Sequence, residues 1–105
     1  MRRYETLKRR ADFNRLRRSG RRVETSAFSL FCDRRPPEGL AIAGISVSGS
    51  VGGAVVRNRV KRRLGAALHA LLGERSGGRL LFIAKPASAA MSFQELSAAL
   101  RGALS

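Results

Sequence analysis

LAIAGISVSGSVGGAVVRNRVKRRL, residues 40–64, contains a strand, a turn and the start of a helix in that order. Leu40 to Ser48 alternates. Ala43, Ile45 and Val47 face one way and Leu40, Ile42 and Ser46 the other, as in a well-buried strand. Gly49-Ser50-Val51-Gly52-Gly53 is a flexible turn. From about Ala54 to Leu72, the residues Val56, Val60, Leu64, Ala67, Leu68 and Leu71 recur at helical spacing and form one apolar stripe. A buried strand leading into a long one-sided helix predicts a sheet with helices packed against it.

The first two turns of that helix carry the wrong charge for their position. Arg57, Arg59, Lys61, Arg62 and Arg63 place five cations within seven residues. Unpaired N–H groups already make a helix N-terminus partly positive, so each added cation costs a few tenths of a kcal/mol there. An anionic partner outside the fold makes the arrangement tolerable. On the wheel Asn58, Arg59, Arg62 and Arg63 spread over the arc opposite the stripe, with Arg57 and Lys61 at its edge. The patch ends where the Ala/Leu-rich half of the helix begins.

Outward from this stretch the other elements are shorter. Residues 1–9 read as a flexible basic arm. Arg10 to Arg18 forms a short helix through Phe13, Leu16 and Arg17, with Gly20 suited to a left-handed turn past its end. Residues 21–26 read as a basic connector into a strand. Ala27 to Cys32 alternates, with Phe28 and Leu30 on one face and Ser29 and Phe31 on the other. Arg34-Arg35-Pro36-Pro37 lies in a loop spanning Asp33 to Gly39. Glu74 to Gly78 is a turn, Arg79 to Lys85 a strand ended by Pro86. Ser92 and Glu95 form a capping box ahead of Leu96, Leu100 and Leu104. The expected order is α-β-β-β-α-β-α, a single α+β domain over residues 1–105 with the shape of an α/β sandwich.

Composition narrows the partner. Lys and Arg number 21 against 7 acids, a net charge of +14 and a pI near 11.9. Such a field binds polyanions. Arg2 to Arg22 alone holds ten cations and two acids. With Phe13 and Phe31 nearby, that stretch resembles a single-strand surface where aromatics stack on bases and cations follow phosphates. Phe28 and Phe82 read as core; for Phe13 and Phe31, core packing and base stacking both remain open.

Catalytic chemistry finds little support. The glycine turn lacks the Lys-Ser/Thr of a phosphate-binding loop, and the dinucleotide fingerprint is absent. The acids Glu5, Asp12, Glu24, Asp33, Glu38, Glu74 and Glu95 are scattered, without metal-ligand spacing. Cys32 reads as a buried inert thiol and His69 as a plain helix-flank residue. Neither a membrane span nor a signal core is visible, which predicts a cytoplasmic protein. No catalytic residue, no metal ligand and no small-molecule substrate is expected on this chain.

At Arg57-Asn58-Arg59, followed by Lys61-Arg62-Arg63, the chain resembles the protein subunit of bacterial ribonuclease P. Gly44 to Ser48, Val51-Gly52, Ala54-Val55, Asp12-Phe13, Gly20 and Ile83-Ala84 with Pro86 match at the right spacing. The resemblance implies a left-handed β-α-β crossover around the basic helix. It also implies that a catalytic RNA subunit holds the Mg²⁺ and performs the endonucleolytic removal of the 5′ leader from precursor tRNA. Arg57, Asn58, Arg59, Lys61, Arg62 and Arg63 would then contact the ribonuclease P RNA, while Phe13, Arg17, Ser29 and Phe31 would line the cleft for the single-stranded leader. Departures from the family pattern are Gly49-Ser50 in place of two lysines, Gly53 where asparagine is frequent, Gly65-Ala66 in place of Arg-Glu, and Arg17 where a second cleft aromatic is common. A general RNA-binding protein and a basic amphipathic membrane binder are the competing classes.

Overall fold

Phe28–Asp33 carries alternating side chains that are buried on both faces, so it must lie inside a sheet covered on two sides. A computed structural model, which describes residues 4–7, 9–33, 41–71 and 78–104, shows this arrangement. The strands are β1 (Tyr4–Thr6), β2 (Arg21–Glu24), β3 (Phe28–Asp33), β4 (Ala41–Ser46) and β5 (Arg79–Ala84), and the helices are α1 (Arg10–Ser19), α2 (Ala54–Leu71) and α3 (Phe93–Leu104). A single mixed sheet runs in the order β1-β4-β5-β3-β2. β3 pairs antiparallel with both β2 and β5, whereas β4 and β5 are parallel neighbours joined through α2.

The alternation sorts the two cores. Phe28 and Leu30 of β3, Leu80 and Phe82 of β5 and Ala43 of β4 meet Val60, Leu64, Ala67 and Leu68 of α2 and Leu96 and Leu100 of α3. Phe28 and Phe82 touch edge to face at 5.2 Å. On the opposite face Phe31 and Leu81 pack with Leu16 of α1 and with Leu7. Each such leucine or phenylalanine contributes about 1.5–3 kcal/mol through burial. The stripe read from residues 56–71 is therefore the face that α2 presents to the sheet. α3 starts at the expected box: the Ser92 N–H donates to the Glu95 carboxylate at 3.0 Å and the Glu95 N–H donates to Ser92 Oγ at 3.1 Å.

The α-β-β-β-α-β-α order is present, with one strand in front of it. The first strand of that order, β2, lies in the stretch 21–26 expected to be a basic connector, because Arg21–Glu24 pairs antiparallel with β3. Tyr4–Thr6 pairs parallel with β4, and the Leu7 N–H donates to the Ala43 carbonyl at 2.9 Å. The arm expected to be flexible over 1–9 is thus anchored from residue 4 to residue 7. β4 would otherwise be an open edge, and Leu7 fills the α1-side core at 4% exposure. Gly20 also differs from expectation. Its φ is −73°, not left-handed, because the chain turns straight from α1 into β2. A side chain there would put Cβ 2.5 Å from the Leu16 carbonyl oxygen, so contact rather than dihedral angle demands glycine. Leu40, the loop from Arg34 to Gly39 and most of the turn from Glu74 to Gly78 lie outside the described residues.

Candidate nucleic-acid interface

The basic end of α2 rises from a turn fixed by one apolar residue. Val51, 7% exposed, is buried in the main core, and its N–H donates to the Ser48 carbonyl at 3.1 Å. Gly52 lets the chain pass close to the helix; a Cβ there would stand 2.8 Å from Val56 Cγ1. The Arg57 N–H then closes the first bond onto the Gly53 carbonyl, and the first turn contains no acid.

Side chains around this end fall into a crest and two flanks. Val55, 79% exposed, with Asn58, Lys61 and Arg62, forms the crest and lines a shallow depression. Arg57 borders a second depression with Val47, Ala54, Asn58 and Lys61. Arg59 and Arg63 are half-buried. This corrects the wheel, which spread the arc over Asn58, Arg59, Arg62 and Arg63 and put Lys61 with Arg57 at its edge. α3 packs along α2. Arg63 Nη1 donates to the Met91 carbonyl at 2.8 Å, so this cation also ties α2 to the segment ahead of α3. Arg57 Nε and Arg59 Nε are buried without a hydrogen-bond acceptor. An N–H held without a partner costs free energy until an acceptor arrives. Among the described residues no acid forms an ion pair with any cation of this helix.

The second surface lies across the sheet, beside α1. Phe13 packs partly buried with Leu16, Phe31 and Leu81. Gly44 allows this approach, since a Cβ there would meet Phe13 Cζ at 3.2 Å and Leu7 Cβ at 3.1 Å. Ser29 and Phe31 point to the same side, 8% and 7% exposed. Arg17 is exposed one turn beyond Phe13. The fold thus brings Phe13 and Phe31 into one cluster, sets Ser29 on the same face of β3, and leaves Arg17 on the outer part of α1.

Three residues that the sequence did not single out complete this face. Arg22 stands opposite Phe31 and Glu24 opposite Ser29 in the β2–β3 register. The Arg22 guanidinium lies over the Phe31 ring, 5.5 Å from its centroid. Glu24 accepts from Ser29 Oγ at 2.9 Å, from Lys85 Nζ at 2.6 Å and from Arg22 Nε. Lys85 Nζ also donates to the Thr25 carbonyl at 2.7 Å. The bond from Lys85, then those from Arg22 and Ser29, holds the Glu24 carboxyl down at about 2. The signal for the cluster is the hairpin itself: two alternating strands joined through Thr25, whose hydroxyl accepts from the Ala27 and Phe28 N–H groups.

No three His, Cys, Asp or Glu side chains converge as a metal site among the described residues. No helix among them is long and apolar enough to cross a membrane. A cavity lined by Arg15, Leu16, Ser19, Gly20, Asp33 and Arg79 opens at the end of α1.

The family model for ribonuclease P matches residues 1–105. The chain belongs to the ribonuclease P protein family. It is 41% identical to the ribonuclease P protein component of Thermobifida fusca, over 93% of this chain and 72% of that one. To the component of Acidothermus cellulolyticus it is 42% identical, over 88% of this chain and 78% of the relative. The RNase P protein of Staphylococcus aureus superposes with a TM-score of 0.83 at 25% identity, covering 94% of this chain and 91% of that one. The Thermotoga maritima RNase P protein shares the fold at a TM-score of 0.81 and 20% identity.

Proposed function

We propose that the chain is the protein subunit of a cytoplasmic ribonuclease P, joining a catalytic RNA to precursor tRNA so that the 5′ leader is removed by hydrolysis. In this reading Arg57, Asn58, Arg59, Lys61, Arg62 and Arg63 dock on the RNA subunit. Phe13, Arg17, Ser29 and Phe31 belong to the leader surface. The observation that carries it is the pair of basic surfaces on opposite faces of one sheet, the α2 one with arginine N–H groups awaiting acceptors. One protein can therefore engage two RNA segments at once.

The contribution of the protein is charge and position. Neutralising phosphates lets the two RNAs approach, and a grip on the leader favours precursor over mature product, which has none. Mg²⁺ belongs to the RNA subunit in this scheme. Three of the described acids are committed within the fold: Glu24 to Lys85, Arg22 and Ser29, Glu95 to the α3 cap, Asp33 to Arg79. With about five to eight phosphates neutralised, the log–log salt slope of assembly would be roughly −4 to −7.

The test mixes the protein with its RNA subunit at low Mg²⁺ and follows precursor cleavage. Stimulation, with tighter binding of leader-bearing than leaderless tRNA, is the expected result. Absent stimulation ends the proposal, and equal binding of both tRNAs indicates a general RNA-binding protein.

A further inference from the structure

Arg22 differs from every cation of the α2 patch in being held on an aromatic ring. Phe31 is 7% exposed, its ring roofed by the guanidinium 5.5 Å away, whereas the Arg22 side chain itself is 62% exposed. The guanidinium sits over the Phe31 ring while most of the Arg22 side chain stays open to solvent. Its Nε is committed to Glu24, and Glu24 is in turn fixed by Ser29 and Lys85. Such bracing removes the rotamer freedom that normally makes an exposed arginine a poor platform. Glu24 also counts against a phosphate at this point. Its charge offsets one of the two nearby cations, and its carboxylate repels an approaching anion.

We infer that Arg22 is a substrate-positioning residue whose outer guanidinium face stacks one unpaired base of the leader, with Glu24 orienting it. The inference rests on the leader reading above and adds to it. Phe31 supports the platform from beneath, and the base meets arginine first. A flat cation on an aromatic ring suits any base, so the slot sets the path of the strand without reading sequence.

The experiment uses the reconstituted holoenzyme and precursor tRNAs carrying one abasic nucleotide at successive leader positions. The wild type should show a binding penalty of roughly fivefold at one position, the size of one stacked base. Arg22→Ala should abolish that penalty. Arg22→Lys should abolish it as well, because it keeps the charge but has no planar face. Glu24→Gln should reduce the penalty at that position and leave the rest of the leader profile as in the wild type. That combination separates positioning from a loss of fold, which would weaken binding everywhere; circular dichroism of each variant checks the fold directly.

An unchanged penalty in Arg22→Ala or Arg22→Lys overturns the role of Arg22, as does a flat wild-type profile. An unchanged penalty in Glu24→Gln overturns the orienting role. Equal wild-type affinity for leader-bearing and leaderless tRNA would end the leader reading itself, and this inference with it. Discrimination by the wild type together with an unaltered Arg22→Ala profile ends the inference alone.

Discussion

The two basic surfaces of this molecule solve opposite problems with the same residue type. On α2 the cations have no acid among them, two buried Nε groups lack acceptors, and the crest is open. Across the sheet Arg22 and Lys85 are tied to one carboxylate. Unpaired cations beside a helix N-terminus are unfavourable in the free protein and gain most when a polyanion arrives. Paired cations gain less from phosphate but hold a fixed shape. The first arrangement suits strength, the second geometry. The largest expected effect tests that division. Arg59→Ala should weaken assembly with the RNA subunit by about 10- to 100-fold, the range for losing a charge-assisted hydrogen bond, and make the salt slope shallower by about 1. Phe13→Ala should leave assembly within about twofold and lower the preference for leader-bearing tRNA roughly tenfold, a loss typical of one stacked base. Filter binding at several salt concentrations measures both, and equal effects of the two variants on both quantities would dissolve the distinction.

Much of this was legible in the chain because period and burial agree. The 56–71 stripe, the alternation of 28–32 and the Ser92–Glu95 box each depend on neighbours within a few residues. β1 was hidden because Tyr4–Thr6 is three residues long and gains its partner, β4, from more than thirty positions away. The second role of Arg63 was hidden for the same reason, its acceptor lying 28 positions on. Arg22 and Glu24 looked like part of a basic connector. Only the hairpin register sets them over Phe31 and Ser29. Four leader residues were named on resemblance. The fold gathers Phe13, Ser29 and Phe31 on one face but leaves Arg17 on the exposed part of α1.

Within the α2 surface, flank and crest should also separate. Arg63→Lys keeps the charge but gives up the planar reach to the Met91 carbonyl. A net loss of about 1 kcal/mol is expected, near 4 °C in Tm for a domain of this size. Arg62→Lys, on the exposed crest, should leave Tm within about 1 °C because no ion pair holds that side chain among the described residues. Thermal melts of the free protein decide this. If both variants melt alike, Arg63 is simply another cation for the RNA and the flank has no part in joining α2 to α3.

The smallest effect concerns the one acid that shapes the second surface. Bonds from Lys85, Arg22 and Ser29 depress the Glu24 carboxyl from 4.5 to about 2, so the folded protein binds this proton less readily than the unfolded chain. A depressed carboxyl contributes its stability above the unfolded value and loses it as pH falls through the folded one. The stability difference between wild type and Glu24→Gln should hold level from pH 7 to about 4.5, shrink below that, and vanish near pH 2. Arg59→Ala leaves the Glu24 cluster intact, so its difference from wild type should show no matching change. Melts recorded across the range compare the two directly. A Glu24→Gln difference that stays constant down to pH 2 would mean that the charge of Glu24 adds nothing to the folded state. The platform over Phe31 would then have to be held by the Arg22 stack alone.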